Sequence, residues 1–569
     1  MRKQFVIRVR LVLLGLLAIA VLLIVRLYFV QIVNGEEYRS EAEGQYVATA
    51  GGVEDRGTIY FGDKEAATMQ SGYRIAIRPS DIVDPEGTYA VLSAITPINS
   101  DKFFAATRKL GDPYEEVAVQ VSETAGKAIA AEKIPGVTLV RDRWRFYPGG
   151  SLGAQVLGFV GFGPNNPDAT AGLYGLEKYW NDTLVRTGNK LYVNFFAEIF
   201  ANIQSLIVNN DTAREGDIVT TIDPQVQRHL EEVILGIESK YYSKVTGGIV
   251  MDPKTGAIVA MAGVPTFDPN HYNKATSTAL FRNLLVENEY ELGSIMKPIT
   301  VAAGLDAKVI TPTSVYNDQG FVMKSGYKIN NYDFKGRGPG TSMQEVLDQS
   351  LNTGAVFIAD KLGRETFKRY LQAFGFGEET GVDLPNEVPG RIAAFTSGSD
   401  VDYASVSFGQ SLSVTPIAMT RALATLANGG VLVQPYVVSG VQYPSGLSHK
   451  TYRPEASRVI TEETAESISR MLVSVYDEAL LDGSVKMEHY SIAAKTGTAQ
   501  IANTAGGGYY TDRYLHSFFG YFPAYDARYI VFLYTVDPRG EAYASHTLTH
   551  PFVDMAKFLI NYYNIPPDR

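Results

Sequence analysis

Ser294 and Lys297 stand three residues apart in Tyr290-Glu-Leu-Gly-Ser-Ile-Met-Lys-Pro-Ile-Thr300, an otherwise mostly apolar run. If a helix begins at about Ser294, residues i and i+3 share a face with Cβ atoms about 5–6 Å apart, and the amine can reach the hydroxyl. A serine becomes a useful nucleophile when a neighbouring base takes its proton as the oxygen attacks a carbonyl. For lysine to be that base it must be neutral part of the time. That requires burial or nearby cations to lower it from about 10.4, and Leu292, Ile295, Met296 and Ile299 can supply the burial. Pro298 supports the placement, because the first N–H groups of a helix have no internal partner and a missing one there costs little. The same helix end favours a developing alkoxide.

The pair alone is a weak pattern. Ser325-Gly-Tyr-Lys328 repeats it where Gly326 and Asn330-Asn331 favour a turn. Two further fragments strengthen it. Gln349-Ser350-Leu351-Asn352-Thr353-Gly354 places a serine and an asparagine two apart at a turn, with Ala355 to Leu362 helical after it; alone it would be read as a side-chain-bonded turn. Ile492-Ala-Ala-Lys495-Thr496-Gly497-Thr498-Ala-Gln500 reads as a small-residue strand whose alternate side chains share a face. Lysine and threonines there, beside a glycine that lets another backbone approach, suit an edge that pairs with an extended peptide and grips its carboxylate. Lys254-Thr255-Gly256 repeats the tripeptide but falls in a hairpin turn ahead of Ser294, so only Lys495 is in order.

These fragments need a large scaffold, and 569 residues predict two to four domains. Gln225 to Ser239 has helical spacing, and Gly247 to Met251 with Ala257 to Met261 makes a hairpin about Asp252-Pro-Lys-Thr-Gly256. A helical middle, β-rich sequence from Ile492 to Val536 and a last helix over Phe552 to Tyr563 complete a domain of sheet covered by helices. Before it, Gly35 to about Thr221 reads as a loosely built α+β module, with strands near Gly72–Arg78 and Gly136–Val140 and helices near Glu115–Glu132 and Leu176–Thr187. Leu11 to Val33 is a largely apolar run whose one charged residue is Arg26, and it follows Arg2, Lys3, Arg8 and Arg10. It is expected to be an uncleaved membrane anchor with the first ten residues cytoplasmic and the rest outside. A cleaved signal peptide is the competing reading, since Ala18-Ile-Ala20 imitates a cleavage site, but more apolar residues follow it.

The net charge is -10, and those four basic residues leave about -14 on the remainder, which argues against nucleic acid as a partner. Zero cysteines exclude disulfides and thiol chemistry. His546-Thr-Leu-Thr-His550 has the spacing of two zinc ligands, but it lacks the accompanying glutamate and abuts Pro551, so neither metal nor cofactor is expected.

Ser-x-x-Lys, Ser-x-Asn and Lys-Thr-Gly in that order, with 56 residues from Ser294 to Ser350 and 145 from Ser350 to Lys495, resemble the class B penicillin-binding proteins. Thr221-Ile-Asp223, Met251 to Met261, Thr380 to Pro385 and Phe408 to Pro416 are similar to that family's transpeptidase domain. Arg56 to Tyr60, Tyr147-Pro148 with Gly158 to Gly161, and Gly172 to Glu177 resemble its pedestal more loosely, since Phe61-Gly-Asp-Lys replaces the usual Asp-Arg-Asn-Gly. The resemblance implies an α+β fold: a cytoplasmic tail (1–10), a transmembrane helix (11–33), an elongated pedestal (34–221) and a transpeptidase domain (222–569) with an antiparallel sheet flanked by helices. Its implied activity is peptidoglycan D,D-transpeptidation, cross-linking stem peptides that end in D-alanyl-D-alanine, with β-lactams as acylating mimics. Ser350-Leu-Asn352 favours the cell-division type over the elongation type, which commonly has aspartate at the third position. The implied roles are Ser294 as nucleophile, Lys297 as base, and Ser350 and Lys495 as proton relay. Asn352 would bind the substrate amide, Thr496 and Thr498 beside Gly497 the carboxylate, and the N–H groups of Ser294 and Thr498 would form the oxyanion hole. A membrane glycosyltransferase and division or elongation proteins are the implied partners, in the bacterial inner membrane.

A D,D-carboxypeptidase, or a non-catalytic β-lactam sensor or scaffold, is the alternative on the same fold; a pseudoenzyme should have lost a motif residue, and none is missing. Gly149-Gly-Ser151-Leu-Gly153 imitates a hydrolase nucleophile elbow, but Pro148 argues against the central strand such an elbow needs.

Overall fold

The computed structural model describes residues 55–163, 166–186, 215–392, 397–443, 446–451, 456–503 and 507–569. The expected cytoplasmic tail and anchor lie outside these residues, and among the described residues no helix is long and apolar enough to cross a membrane. The described chain forms two compact units, Gln70–Trp144 and a larger one of Glu54–Met69 with Arg145–Arg569.

In the smaller unit, residues 72–77 pair antiparallel with Glu115–Ser122. Helices Pro85–Ile95, Ser100–Thr107 and Glu123–Glu132 close a core of Ile75, Ile77, Leu92, Phe103, Val117, Val121 and Ile129. The helix expected over 115–132 is therefore half strand. β-Branched Val117, Val119 and Val121 suit a pleated surface, and Ser122 accepts a hydrogen bond from Ala125 N, so the helix starts only at Glu123.

The larger unit opens with Ile59–Phe61 paired parallel to Asp217–Thr220, which pairs antiparallel with Val438–Gln442. Here Glu177 is fully buried between two arginines, its Oε2 3.0 Å from Arg56 Nη2 and its Oε1 2.6 Å from Arg145 Nε. The helix expected over 176–187 is broken into Gly175–Tyr179 and Asn181–Leu184, followed by the short strand Val185–Arg186.

The rest of this unit is a five-stranded antiparallel sheet between helical layers. Its strands are β1 (Val245–Met251), β2 (Ile258–Val264), β3 (Ala493–Ala502), β4 (Tyr509–Phe522) and β5 (Tyr529–Val536), in the order β2-β1-β5-β4-β3. Helix α1 (Pro224–Tyr241) starts where the Asp223 carboxylate accepts from Gln225 N and Val226 N. Alternation along the strands sends side chains to both faces. Val250, Leu533, Phe518 and Ala494 pack with Leu230, Ile234, Leu548 and Phe552, whereas Ile249, Phe532, Phe519 and Ala493 belong to the core that includes Ile295, Met296 and Ile299. Burial on both faces explains why β1, β2 and β5 read as largely apolar runs. Each fully buried aliphatic side chain contributes about 1.5–3 kcal/mol.

The middle of the chain supplies α2 (Lys297–Asp306), α3 (Met343–Asp348) and α4 (Asn352–Leu362). The last helix, α5, runs from Ala544 to Tyr562, eight residues longer at its start than expected, with Pro551 inside it. A proline costs a helix one hydrogen bond, but Leu548 before it and Phe552 and Met555 after it are all buried in one core cluster, which holds the helix across that gap.

Candidate active site

The nucleophile turn differs in detail from the expected helix start. Gly293–Met296 is a 3-10 turn, and α2 begins only at Lys297 with Pro298 in its first turn. The change keeps the geometry, because side chains at i and i+3 eclipse in a 3-10 helix. Lys297 Nζ lies 3.0 Å from Ser294 Oγ. Gly293 enters the turn at φ 66°, a conformation that favours glycine.

Ser350 occupies the junction between α3 and α4 at φ 53°, a left-handed conformation uncommon outside glycine. In that pose its carbonyl and its hydroxyl both reach the lysine: Lys297 Nζ donates to the Ser350 carbonyl at 2.5 Å and lies 3.1 Å from Ser350 Oγ. The lysine amine thus touches the two serine hydroxyls, one brought from 53 residues away.

The third fragment reaches the same place because β3 is the outermost strand of the sheet, paired among the described residues with β4 alone. A Cβ added at Gly497 would stand 2.6 Å from the Leu292 carbonyl oxygen and 3.1 Å from Ile295 N, so only glycine lets the nucleophile turn lie against the strand. Ser517 Oγ, cross-strand from Gly497, donates to the same Leu292 oxygen at 2.7 Å. Lys495 Nζ donates to the Thr496 carbonyl at 3.1 Å. On the alternate face, Thr498 Oγ1 accepts from Ala544 N at 3.1 Å, at the start of α5, which leaves its own hydroxyl hydrogen to donate. Thr496 and Asn352 are half-buried, and Asn352 Nδ2 donates to the Asn330 carbonyl at 2.9 Å.

Burial governs the electrostatics. Lys297 is wholly buried, which holds its amine well below the ordinary lysine range, and the charge of Lys495 pushes it lower still. Lys495 is 3 % exposed and is brought down to about 8 by burial, against the opposing pull of Asp348. Asp348, the last residue of α3, is pushed above the usual carboxylate range, first by burial. An amine whose charged form is disfavoured, set between two hydroxyls, can accept a proton from one and pass it to the other, with the second lysine close enough to bias it.

All eight residues expected to form the site thus fall on the three fragments whose contacts are described above. The decoys lie in turns: Ser325 and Gly326 link two hairpin strands with φ of 48° and 86°, and Lys254 sits in the β1–β2 turn. Asp348, Asn330 and Ser517 carry no sequence signal that would have drawn attention to them. Their relevance arises only from contacts across the fold.

Comparison with known proteins agrees with this architecture. The family described as penicillin binding protein transpeptidase domain matches residues 246–555. Stage V sporulation protein D of Bacillus subtilis is 31% identical over 560 residues, spanning 96% of this chain and 84% of that protein. Peptidoglycan D,D-transpeptidase FtsI of Buchnera aphidicola is 25% identical over 571 residues, spanning 96% and 94%. The crystal structure of penicillin binding protein 3 from Mycobacterium tuberculosis complexed with aztreonam superposes with a TM-score of 0.69 at 23% identity, over 91% of this chain and 98% of that one. The chain belongs to the penicillin-binding proteins that carry a transpeptidase domain, in their class B.

Proposed function

We infer that this protein is a peptidoglycan D,D-transpeptidase acting in cell-wall synthesis and open to acylation by β-lactams. The observation that carries the reading is the fully buried Lys297 amine within 3.0 Å of Ser294 Oγ and 3.1 Å of Ser350 Oγ. Ser294 Oγ attacks the carbonyl carbon of the penultimate D-alanine while Lys297 takes its proton. The tetrahedral oxyanion is held by the N–H groups of Ser294 and Thr498, a contribution whose loss costs about 100–1000-fold in rate. As the peptide C–N bond breaks, Ser350 relays the proton from Lys297 to the departing D-alanine nitrogen. An amine from a neighbouring stem then attacks the ester carbonyl, and the proton that this amine loses passes to Ser294 Oγ as the ester C–O bond breaks, which restores the enzyme. Asn352 grips the stem amide, Thr496 and Thr498 the terminal carboxylate, and Lys495 contributes positive charge beside the base.

The Ser350-Leu-Asn352 motif and the relatives named FtsI and penicillin binding protein 3 argue for the cell-division type. The apolar stretch from Leu11 to Val33 behind four basic residues supports a single-pass anchor in the bacterial inner membrane with the bulk outside. On this reading residues 34–221 are a pedestal and 222–569 the catalytic domain. A membrane glycosyltransferase supplies the glycan, alongside division proteins. Fluorescent penicillin labelling with mass spectrometry of the adduct tests the site: wild type carries the label on Ser294 and Ser294→Ala carries none. Label persisting in that variant refutes the assignment.

A further inference from the structure

The strained turn that carries Ser350 is tied at three flanking positions, Gln349, Asn352 and Thr353, to a segment that the mechanism above does not use. Arg337 Nε donates to Gln349 Oε1 at 2.7 Å, Asn352 Nδ2 donates to the Asn330 carbonyl at 2.9 Å, and Thr353 N donates to Asn331 Oδ1 at 3.2 Å. At the centre of that segment is the Asp318 carboxylate, 1 % exposed. Its Oδ1 accepts from Gly320 N at 2.9 Å, from Thr353 Oγ1 at 2.8 Å and from Asn331 Nδ2 at 3.1 Å. Its Oδ2 accepts from Asn331 Nδ2 at 3.0 Å and from Arg337 N at 3.1 Å. Every neighbour the carboxylate meets here is a donor, and only an acceptor-only group satisfies all of them.

The consequence runs outward from Asp318. Holding the Asn331 amide nitrogen turns its Oδ1 toward Thr353 N, and the same peptide segment presents the Asn330 carbonyl to Asn352. One Asn352 amide hydrogen is thereby fixed, which leaves the other and the Oδ1 atom to bond an amide. We propose that Asp318 is a positioning residue for transpeptidation: it fixes the Asn330–Asn331 segment so that Asn352 is held ready for the amide of the donor stem peptide. This rests on the reading of Asn352 as the amide-binding side chain.

Asp318→Asn keeps the shape but turns an NH2 group toward donors, and Thr353→Val removes one donor while keeping the volume. Acylation rates are measured with a penicillin bearing an acylamino side chain and with the same nucleus bearing a free amine, which offers Asn352 no amide. Asn352→Ala is the reference and should abolish most of the preference for the acylamino compound. The expected result is that Asp318→Asn loses about tenfold or more of that preference, as for a hydrogen-bonded charged group. Thr353→Val loses part of it, and Thr353→Ser, which restores the hydroxyl, keeps it. If Asp318→Asn fails to fold, the Thr353 pair carries the test alone. A loss affecting both compounds equally, or no loss, while Asn352→Ala does lose the preference, overturns the positioning role. Preference retained in Asn352→Ala overturns the amide-binding reading itself and this inference with it.

Discussion

Lys297 and Lys495, the two lysines of the proposed site, should cost the fold stability, and Lys495 allows the cost to be measured. It is 3 % exposed and titrates at about 8 instead of 10.5, chiefly through burial. At about 1.4 kcal/mol per unit, that difference is about 3 kcal/mol of folding free energy lost at pH 7. Because the folded value lies below the unfolded one, the unfolded chain binds more protons between about pH 8 and 10.5. The Lys495 contribution to stability therefore rises with pH across that window and is flat below it. Lys495→Met replaces the amine with a flexible apolar chain. It gives up the bond to the Thr496 carbonyl, about 1 kcal/mol, and deprives buried Asp348 of its nearby cation. The net expectation is a variant about 1–2 kcal/mol more stable at pH 7, with the gain vanishing by about pH 10. Acylation by a penicillin should fall at least tenfold at the same time, the trade between stability and a strained site. Urea unfolding at pH 7 and 10, followed by tryptophan fluorescence, together with acylation rates, checks this. A variant less stable than wild type at pH 7, or one whose advantage persists unchanged at pH 10, would show that burial of this charge is not what the fold endures.

Lys297→Met should slow acylation by about 100–10,000-fold, the usual worth of a general base, while leaving the circular dichroism spectrum unchanged; stopped-flow with a chromogenic cephalosporin measures it. Gly497→Ala should push the Leu292 carbonyl and Ile295 N away from β3, cost about 1–3 kcal/mol and depress acylation, read by thermal melting alongside labelling. His516 is buried behind the third motif, cross-strand from Thr498, and burial brings it down to about 4. The unfolded chain then takes up the proton first, so this residue withdraws about 3 kcal/mol of stability as pH falls from about 6.5 to 4, a slope that His516→Gln should flatten in acid titration.

Local chemistry made much of the fold legible. The period of α1, the hairpin of β1 and β2, the small-residue strand Ala493–Ala502 and the apolar strand Tyr529–Val536 are each written within about twenty residues. Where the reading failed, a longer-range interaction had overridden the local one. Pro551 looks like a boundary until Leu548 and Phe552 are seen sharing one core. Glu115–Ser122 passes for helix until its pairing with residues 72–77 is known.

The residue types proposed for catalysis and their order could be read from the sequence alone, because Ser-x-x-Lys, Ser-x-Asn and Lys-Thr-Gly need nothing but spacing to be noticed. Their convergence could not. It depends on a left-handed Ser350, on an edge strand whose Gly497 admits the nucleophile turn, and on burial that strips Lys297 of water. The carboxylate of Asp318, remote along the chain and unremarkable in any motif, acquires its meaning only in the fold. Desolvation and hydrogen-bond satisfaction are properties of what surrounds an atom in three dimensions, and no stretch of polymer carries that information by itself.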